Sequence, residues 1–195
     1  MRLFVASFLP AADVTFYDEV VATLVMQCPG VLRPIPRGSA HMTHAFLGDV
    51  HGTAPEEIAA DIARTTSGRS IIDVELGKPT VLGGRQPRLV MAPVITGADL
   101  LGDLARGIVL TLRARSEFAG LPLPKAPHVT LARFRKHATR TDGRHVAGLL
   151  GQSRGDTRST RVESVEIVRS RLGSGGAEYD TLASFALEPR RSKGP

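Results

Sequence analysis

The strongest constraint on the fold of this 195-residue chain is an order of predicted elements that occurs twice. In each half, the apolar patterns predict a strand, a helix, a proline-rich approach, a short strand that begins with histidine, a second helix and a further strand. The two histidine strands are predicted at residues 41–47 and 128–134. This repeat predicts an α+β protein with two pseudo-symmetric lobes of antiparallel sheet and flanking helices, and a central cleft that carries both His-x-Thr strands.

Local signals place the starts of two helices. Thr53 to Glu56 have the pattern of a capping box with proline in the first turn, which predicts the start of the second helix. Asp142 is predicted to cap the last helix, and the chain closes with a hairpin around a glycine-rich turn. We expect one bilobal domain over residues 1–188, followed by a basic, disordered tail over residues 189–195.

The composition is that of a globular protein. Apolar residues make up 42% of the chain, enough to bury a core without disulfides or a structural metal. No stretch approaches about 18 uninterrupted apolar residues, and the N-terminal run is predicted as a first strand and not as a signal peptide. Cys28 is the single cysteine, so we expect a reduced thiol and a cytoplasmic protein that does not insert into a membrane.

The charge balance favours partners that carry phosphate. The chain has 25 basic and 19 acidic residues, a net charge of +6 and a pI near 10.2. Only four of the basic residues are lysines, and arginine is better suited than lysine to bidentate phosphate contacts. An electropositive surface therefore favours RNA or nucleotides. A coding bias towards arginine explains the same composition equally well, so charge alone does not decide the partner.

Four of the six histidines stand two residues before a threonine, namely His41, His51, His128 and His137. Their context separates them. His51 lies at a glycine turn before a predicted helix, and His137 lies in a polar, basic run. His41 and His128 alone begin an apolar strand, and each follows a proline-rich approach. The matched context, and not the short motif itself, marks this pair as candidates for a shared site.

The spacing within each motif suits acid–base chemistry on an anion. Residues i and i+2 of a strand project from the same face, so His41 lies beside Thr43 and His128 beside Thr130. Each pair offers an imidazole that titrates near neutrality and a hydroxyl donor. Two facing pairs would surround a phosphate: one histidine deprotonates the attacking hydroxyl, the other protonates the leaving oxygen, and the threonines bind the non-bridging oxygens. This chemistry needs no metal and no cofactor.

Four segments resemble one known family, over nearly the whole chain. They read RLFVA at residues 2–6, AFLG at 45–48, PHVTLAR at 127–133 and VRSRLGSGGAEY at 168–179. With the two His-x-Thr motifs, they resemble the RNA 2′,3′-cyclic phosphodiesterases, also called 2′-5′ RNA ligases, of the 2H phosphoesterase superfamily. The paired motifs define the superfamily. The arginine after the second motif and the last hairpin are typical of this branch of it.

The resemblance implies hydrolysis of an RNA-terminal 2′,3′-cyclic phosphate, in which the P–O3′ bond breaks and a 2′-phosphate remains. It implies that His41 is the acid that protonates O3′ and that His128 is the base that activates water. Thr43, Thr130 and Arg133 would hold the phosphate. The expected partners are RNA ends or nucleotides that bear a 2′,3′-cyclic phosphate, and we expect a monomer. A 3′-phosphate product would exchange the roles of the two histidines.

Two residues near the motifs raise questions of strand geometry. Arg133 follows His128 by five residues, so strict alternation would aim it away from the cleft unless the strand twists, bulges or ends there. Alternation also places His44 on the face opposite His41, together with Phe46 and towards the core. We therefore expect His44 to be a buried, hydrogen-bonded histidine without a catalytic role.

Three other interpretations stay open at this point. His41, His44 and His51 could hold a metal ion, although alternation places the first two on opposite strand faces. The chain could be a non-catalytic RNA-end or nucleotide-binding module that uses a basic run. The residues of that run are Arg133, Arg135, Lys136, Arg140, Arg144, Arg154, Arg158 and Arg161. As an enzyme, the protein could instead act on another cyclic phosphate or catalyse the reverse reaction, ligation through a 2′-5′ bond.

Overall fold

The computed structural model describes residues 1–152, 157–173 and 176–189, in which ten strands and four α-helices form. The strands are β1 (Arg2–Phe8), β2 (Leu32–Pro34), β3 (His41–Asp49), β4 (Ile72–Leu76), β5 (Thr80–Leu82), β6 (Leu89–Thr96), β7 (His128–Phe134), β8 (Arg158–Val162), β9 (Ser164–Gly173) and β10 (Gly176–Ala186). The helices are α1 (Ala11–Gln27), α2 (Pro55–Thr66), α3 (Ala98–Arg113) and α4 (Arg140–Gln152). None of these helices has the length and hydropathy needed to cross a membrane. The basic tail predicted for residues 189–195 lies outside the described residues from residue 190 onwards.

The strands join one sheet in which neighbouring strands run antiparallel. Its order is β10-β9-β1-β3-β7-β6-β4-β8, with β2 added beside β7 and β5 beside β6. The order is symmetrical about the β3–β7 junction, because β1 and β6 flank the two histidine strands and β9 and β4 follow them outwards. An antiparallel sheet in two pseudo-symmetric halves, with flanking helices, confirms the predicted α+β fold class.

The two halves of the chain exchange strands across the sheet. β4 follows α2 in the first half of the chain, yet it pairs with β6 of the second half. In turn β9, from the second half, pairs with β1. The order of elements along the chain does not predict this exchange, because it depends on pairing between strands that are far apart in sequence.

Apolar helix faces bury the main core against the sheet. α3 packs against β3, and α2 packs against α3. The apolar spacing of α3 predicts one buried stripe, and Leu101, Leu104, Ile108 and Leu112 are each at most 1% exposed, whereas Leu100, which the same spacing includes, is 47% exposed. Each of the buried side chains contributes about 1.5–3 kcal/mol of burial free energy. This packing holds β3, and with it the first histidine motif, on the face of the sheet opposite His41.

The starts of α2 and α4 differ from the sequence prediction. Thr53 does not cap α2, because its backbone N–H and its hydroxyl both donate to the carboxylate of Glu117. Pro55 occupies the first turn of that helix, as predicted. At α4, the Thr139 hydroxyl accepts the backbone N–H of Asp142, whose carboxylate accepts the backbone N–H of Thr139. Thr139 is therefore the capping residue, and Asp142 completes the capping box from inside the helix.

Candidate active site

The junction between β3 and β7 places the two histidine motifs side by side. The Cα partners there are Met42 and Val129, whose side chains are 1% and 0% exposed in the core. Because side chains alternate along a strand, the residues before and after this pair project from the opposite face of the sheet. These residues are His41 and Thr43 on β3 and His128 and Thr130 on β7. Four of the predicted site residues therefore share one face at the centre of the sheet.

Both histidines are held by the same kind of backbone hydrogen bond. His41 Nδ1 lies 2.7 Å from the carbonyl oxygen of Ser39, and His128 Nδ1 lies 2.9 Å from that of Ala126. The carbonyl belongs in each case to the residue two positions earlier. A carbonyl oxygen only accepts, so both Nδ1 atoms carry a proton and donate it. This bond orients each ring and leaves Nε2 to exchange a proton with a ligand.

The surroundings of the two histidines differ. The rings of Phe4, Phe8 and Tyr179 have centroids 5.1, 5.5 and 5.5 Å from the centroid of His41. His41 is consequently only 7% exposed. His128 is partly buried. One imidazole therefore lies in an aromatic enclosure, while the other lies closer to solvent.

Burial lowers the pKa of His41 below its ordinary value. The hydrogen bond to Ser39 opposes this shift in pKa, and the positive charge of Arg133 adds to it. The uncharged form of His41 is therefore favoured more strongly than in a solvent-exposed histidine.

A β-bulge in β7 brings Arg133 to the face of the second motif. The register of β7 against β6 shifts between Thr130 and Ala132, which leaves Leu131 as the extra residue. Beyond the bulge the alternation is reset, so Arg133 lies on the same face as His128 and Thr130. The bulge supplies the departure from strict alternation that a phosphate-binding role for Arg133 requires.

A β-bulge at the equivalent place in β3 changes the position of Phe46. The register of β3 against β1 shifts at His44, which is the extra residue. Phe46 therefore lies on the face of His41, and the prediction that it faces the core is wrong. Its side chain is 60% exposed, and its ring centroid lies 6.3 Å from that of Phe4. Phe46 thus occupies in the first motif the position that Arg133 occupies in the second.

His44 is buried on the core side, which confirms the expectation that it is a hydrogen-bonded core histidine. Its Nε2 lies 2.8 Å from the hydroxyl of Ser7, and this hydroxyl donates its proton to the carbonyl oxygen of Ser164 at 2.5 Å. Nε2 of His44 must therefore be the donor to Ser7. Burial, with the positive charge of His41 as a smaller contribution, lowers the pKa of His44 to about 4.

The proposed metal ligands do not converge. His41 and His44 project from opposite faces of β3, and His51 lies beyond the end of that strand. Within residues 1–152, 157–173 and 176–189, no group of three or more histidine, cysteine or acidic side chains is arranged to hold a metal ion. The other His-x-Thr histidine, His137, lies in the loop before α4, where its Nε2 is 3.1 Å from the carbonyl oxygen of Gly30.

Three arginines lie around the side chain of Tyr179. Burial raises the pKa of this tyrosine, and the positive charges of Arg133, Arg33 and Arg2 oppose the rise. Arg33 lies on β2 and Arg2 begins β1. Neither was predicted as a site residue, although Arg33 lies in the proline-rich approach to His41.

The predicted basic run does not form one continuous surface. Arg158 pairs with Asp13 at 2.9 Å, and its guanidinium lies 4.4 Å from the ring centroid of Phe16. Arg161 pairs with Asp73, also at 2.9 Å. Both arginines lie on β8 at the far edge of the sheet, and Arg154 lies outside the described residues. The part of the run that reaches the candidate site is Arg133.

A groove of about 470 Å³ opens beside His41. Its walls are Phe8, residues 36–39, residues 177–179 and Thr181. A larger depression of about 590 Å³ lies between α1 and the β4–β8 edge, and four carboxylates line it. They belong to Asp13, Asp73, Glu75 and Glu163. Carboxylates repel phosphate, and the smaller groove has one, Glu178, together with Arg37, so it matches a nucleotide better than the larger depression with its four carboxylates.

Comparison with solved structures shows that this architecture is shared. TT0787 of Thermus thermophilus superposes with a TM-score of 0.77 at 26% sequence identity, and the match covers 98% of this chain and 100% of that one. E. coli LigT complexed with 3′-AMP superposes with a TM-score of 0.65 at 21% identity, over 95% of this chain and 97% of that one. The MHV ns2 PDE domain gives a TM-score of 0.50 at 16% identity, over 93% of this chain and 99% of that one.

Comparison by sequence identifies no relative. No protein-family model matches the chain, and a search of curated proteins also finds no match. The structural similarity extends over nearly the full length of each partner, so it concerns the whole arrangement of lobes and not one element. The chain therefore has the fold of the LigT and PDE-domain structures.

Proposed function

We propose that this protein hydrolyses the terminal 2′,3′-cyclic phosphate of RNA to a 2′-phosphate by acid–base catalysis with two histidines. One observation carries the proposal: His41 and His128 lie on adjacent strands, and the same Nδ1 hydrogen bond leaves Nε2 of each free for proton transfer. A single histidine with such a bond is common. Two of them around one cleft match a reaction that needs an acid and a base together.

In this reaction His128 Nε2 takes a proton from water, and the water oxygen forms a bond to phosphorus. The P–O3′ bond breaks, and Nε2–H of His41 protonates O3′. The phosphate stays on O2′. Thr43 and Thr130 donate hydrogen bonds to the non-bridging oxygens, where negative charge builds up, and the guanidinium of Arg133 offsets that charge.

The acid role requires a proton that burial disfavours. The pKa of His41 is lowered by its enclosure and by Arg133. A phosphate anion beside the ring acts in the opposite direction and also neutralises part of the Arg133 charge. Substrate binding would therefore supply the protonated form of His41 that the reaction uses.

The aromatic side of the cleft offers a surface for the nucleoside. Phe46 is exposed on the face of His41, and Phe4 lies between them, with its centroid 5.1 Å from His41 and 6.3 Å from Phe46. An exposed ring at this place suits stacking of a base. The crystallisation of E. coli LigT with 3′-AMP, with ATP and with phosphate supports a nucleotide as the ligand class of this fold.

The proposal is tested by incubating the protein with a short RNA that ends in a 2′,3′-cyclic phosphate, with EDTA present. Mass spectrometry and phosphatase sensitivity identify the product. A 2′-phosphate is the expected result. A 3′-phosphate would keep the chemistry but make His41 the base and His128 the acid.

Two other outcomes would count against the proposal. Loss of turnover in EDTA would require a metal ion. Binding of the RNA without any turnover would favour a non-catalytic RNA-end or nucleotide-binding protein. Formation of a 2′-5′ bond between two RNA ends, tested in the same assay with a 5′-hydroxyl RNA, would reveal ligation, in which the 5′-hydroxyl attacks phosphorus in place of water.

A further inference from the structure

Arg33 lies directly opposite Arg133 in the sheet. β2 pairs with β7, and the Cα partners include Arg33 with Arg133. Directly opposed residues of antiparallel strands project from the same face, about 4.5–5.5 Å apart at their Cα atoms. Since the bulge turns Arg133 to the cleft, Arg33 points to the same side. Both residues are exposed.

Two like charges placed directly opposite each other in a sheet are destabilising, and an anion bound between them would offset their repulsion. Some other arginines in the described part of the chain pair with a carboxylate, as Arg169 does with Asp180 at 3.0 Å. Among the described residues, no carboxylate forms an ion pair with Arg2, Arg33 or Arg133. Their charge is therefore available to a ligand.

The arginine charge exceeds what one reacting group requires. A 2′,3′-cyclic phosphate is a diester with a single negative charge, and Arg133 with the two threonines already provides for it. Arg33 adds a further positive charge directly opposite Arg133, and both charges act on Tyr179, whose ring lies 5.5 Å from that of His41. This surplus lies at the edge of the reacting centre and not on a distant surface.

We infer that Arg33 binds a second phosphate, the one on the 5′ oxygen of the nucleotide that carries the cyclic phosphate. The inference rests on the proposed function and names its substrate class. The preferred substrate is a nucleotide chain, because the internucleotide phosphate of an RNA end occupies that 5′ position. A cyclic mononucleotide with a free 5′-hydroxyl fills only half of the site.

The test compares two probes that differ by this one phosphate. They are adenosine 2′,3′-cyclic phosphate and its 5′-phosphorylated form, assayed with the wild-type protein, with Arg33→Ala and with Arg33→Lys. The wild type is expected to prefer the 5′-phosphorylated probe by at least about tenfold in kcat/KM, the effect of a hydrogen bond to a charged group. Arg33→Ala is expected to remove this preference, because its loss of kcat/KM is larger on the 5′-phosphorylated probe than on the 5′-hydroxyl probe. Arg33→Lys is expected to restore part of the preference.

Arg106→Ala is the matched control, because Arg106 is an exposed arginine of α3 and its loss changes the net charge by the same amount. Equal kcat/KM for the two probes in the wild type, or an equal loss on both probes in Arg33→Ala, would overturn the second phosphate site while the proposed function stood. If neither probe were hydrolysed and a short RNA with a 2′,3′-cyclic end were also left intact, the proposed function would fail. The affinities of the two probes, measured by calorimetry, would then test the second phosphate site by themselves. Tighter binding of the 5′-phosphorylated probe to the wild type, lost in Arg33→Ala, would support the site, and any other result would contradict it.

Discussion

At the scale of single residues, the different burial of the two histidines predicts how activity depends on pH. An acid must be protonated, and burial beside Arg133 lowers the pKa of His41 from its ordinary value of 6.5. With His41 as the acid, kcat/KM, which reports the free enzyme, is expected to fall as pH rises through a pKa below 6.5. The fall in kcat is expected at higher pH, because bound phosphate raises the pKa of the same ring.

Initial rates between about pH 5 and 8 at limiting and at saturating RNA check this prediction. Because the base gives a limb of the profile that rises with pH, the limb of His41 is identified from the residual activity of His128→Ala, and a rise with pH in that variant would assign the base role to His41. That outcome should coincide with a 3′-phosphate product, so the two measurements constrain each other.

Substitution of the histidines separates the matched pair from the two other His-x-Thr motifs. His41→Ala and His128→Ala are each expected to lower kcat by about 10²–10⁴-fold, because each removes one proton-transfer group. His51→Ala and His137→Ala serve as controls and are expected to stay within about twofold of wild type. Thermal unfolding shows whether each variant is folded. An equally large fall in kcat in the two control variants would contradict the assignment of the site.

His44 links stability to pH without contributing to the chemistry. Its pKa is about 4 in the folded protein and 6.5 ordinarily, so the unfolded chain binds the proton more readily. The contribution of His44 to the free energy of unfolding is therefore fully present above about pH 6.5. It is lost as the pH is lowered towards about 4, and the total loss is about 3 kcal/mol. His44→Gln keeps a donor for Ser7 but does not titrate there. Urea unfolding at several pH values is expected to show a smaller acid loss for the variant, and parallel curves for both proteins would refute this account.

At the scale of elements, the two bulges explain where sequence reasoning succeeded and where it failed. Local periodicity predicts the two histidine strands and the helix that spans residues 98–113 in the structure. It also predicts that His41 and Thr43 project from the same face of their strand. The side on which Phe46 lies does not follow, because the bulge at His44 is set by the pairing of β3 with β1. The capping of α2 was mispredicted for a similar reason, since Glu117, far along the chain, accepts the hydrogen bonds of Thr53.

The position of Phe46 beyond its bulge predicts a role in binding and not in proton transfer. Phe46→Ala is expected to raise KM for a cyclic-phosphate RNA by about 5-fold to 150-fold, which corresponds to about 1–3 kcal/mol for one stacked base, with little change in kcat. Phe46→Trp is expected to keep the wild-type KM. Leu110→Ala removes an exposed apolar side chain from α3 and serves as the control. A fall in kcat with an unchanged KM would exclude stacking.

At the scale of the whole molecule, the two lobes contribute different halves of the cleft. β1, β3 and β10 supply the aromatic side with Phe4, Phe46 and Tyr179, whereas β2 and β7 supply the cationic side with Arg33 and Arg133. A nucleotide has the same division between base and phosphate. The two His-x-Thr motifs repeat, but Phe46 occupies in the first motif the position of Arg133 in the second, which allows a pseudo-symmetric fold to bind an asymmetric ligand.

The junction between the lobes is narrow, and this predicts a link between core packing and catalysis. β3 and β7 share one pair of Cα partners, Met42 and Val129, directly behind the two histidines. Met42→Ala is expected to cost about 2–5 kcal/mol of stability, as Ile62→Ala in α2 is, because both side chains are fully buried. The Met42 variant is also expected to lose kcat well below its melting temperature, since the cavity loosens the spacing of His41 and His128. Equal kcat in the two variants would mean that the lobes hold their spacing by contacts outside the junction.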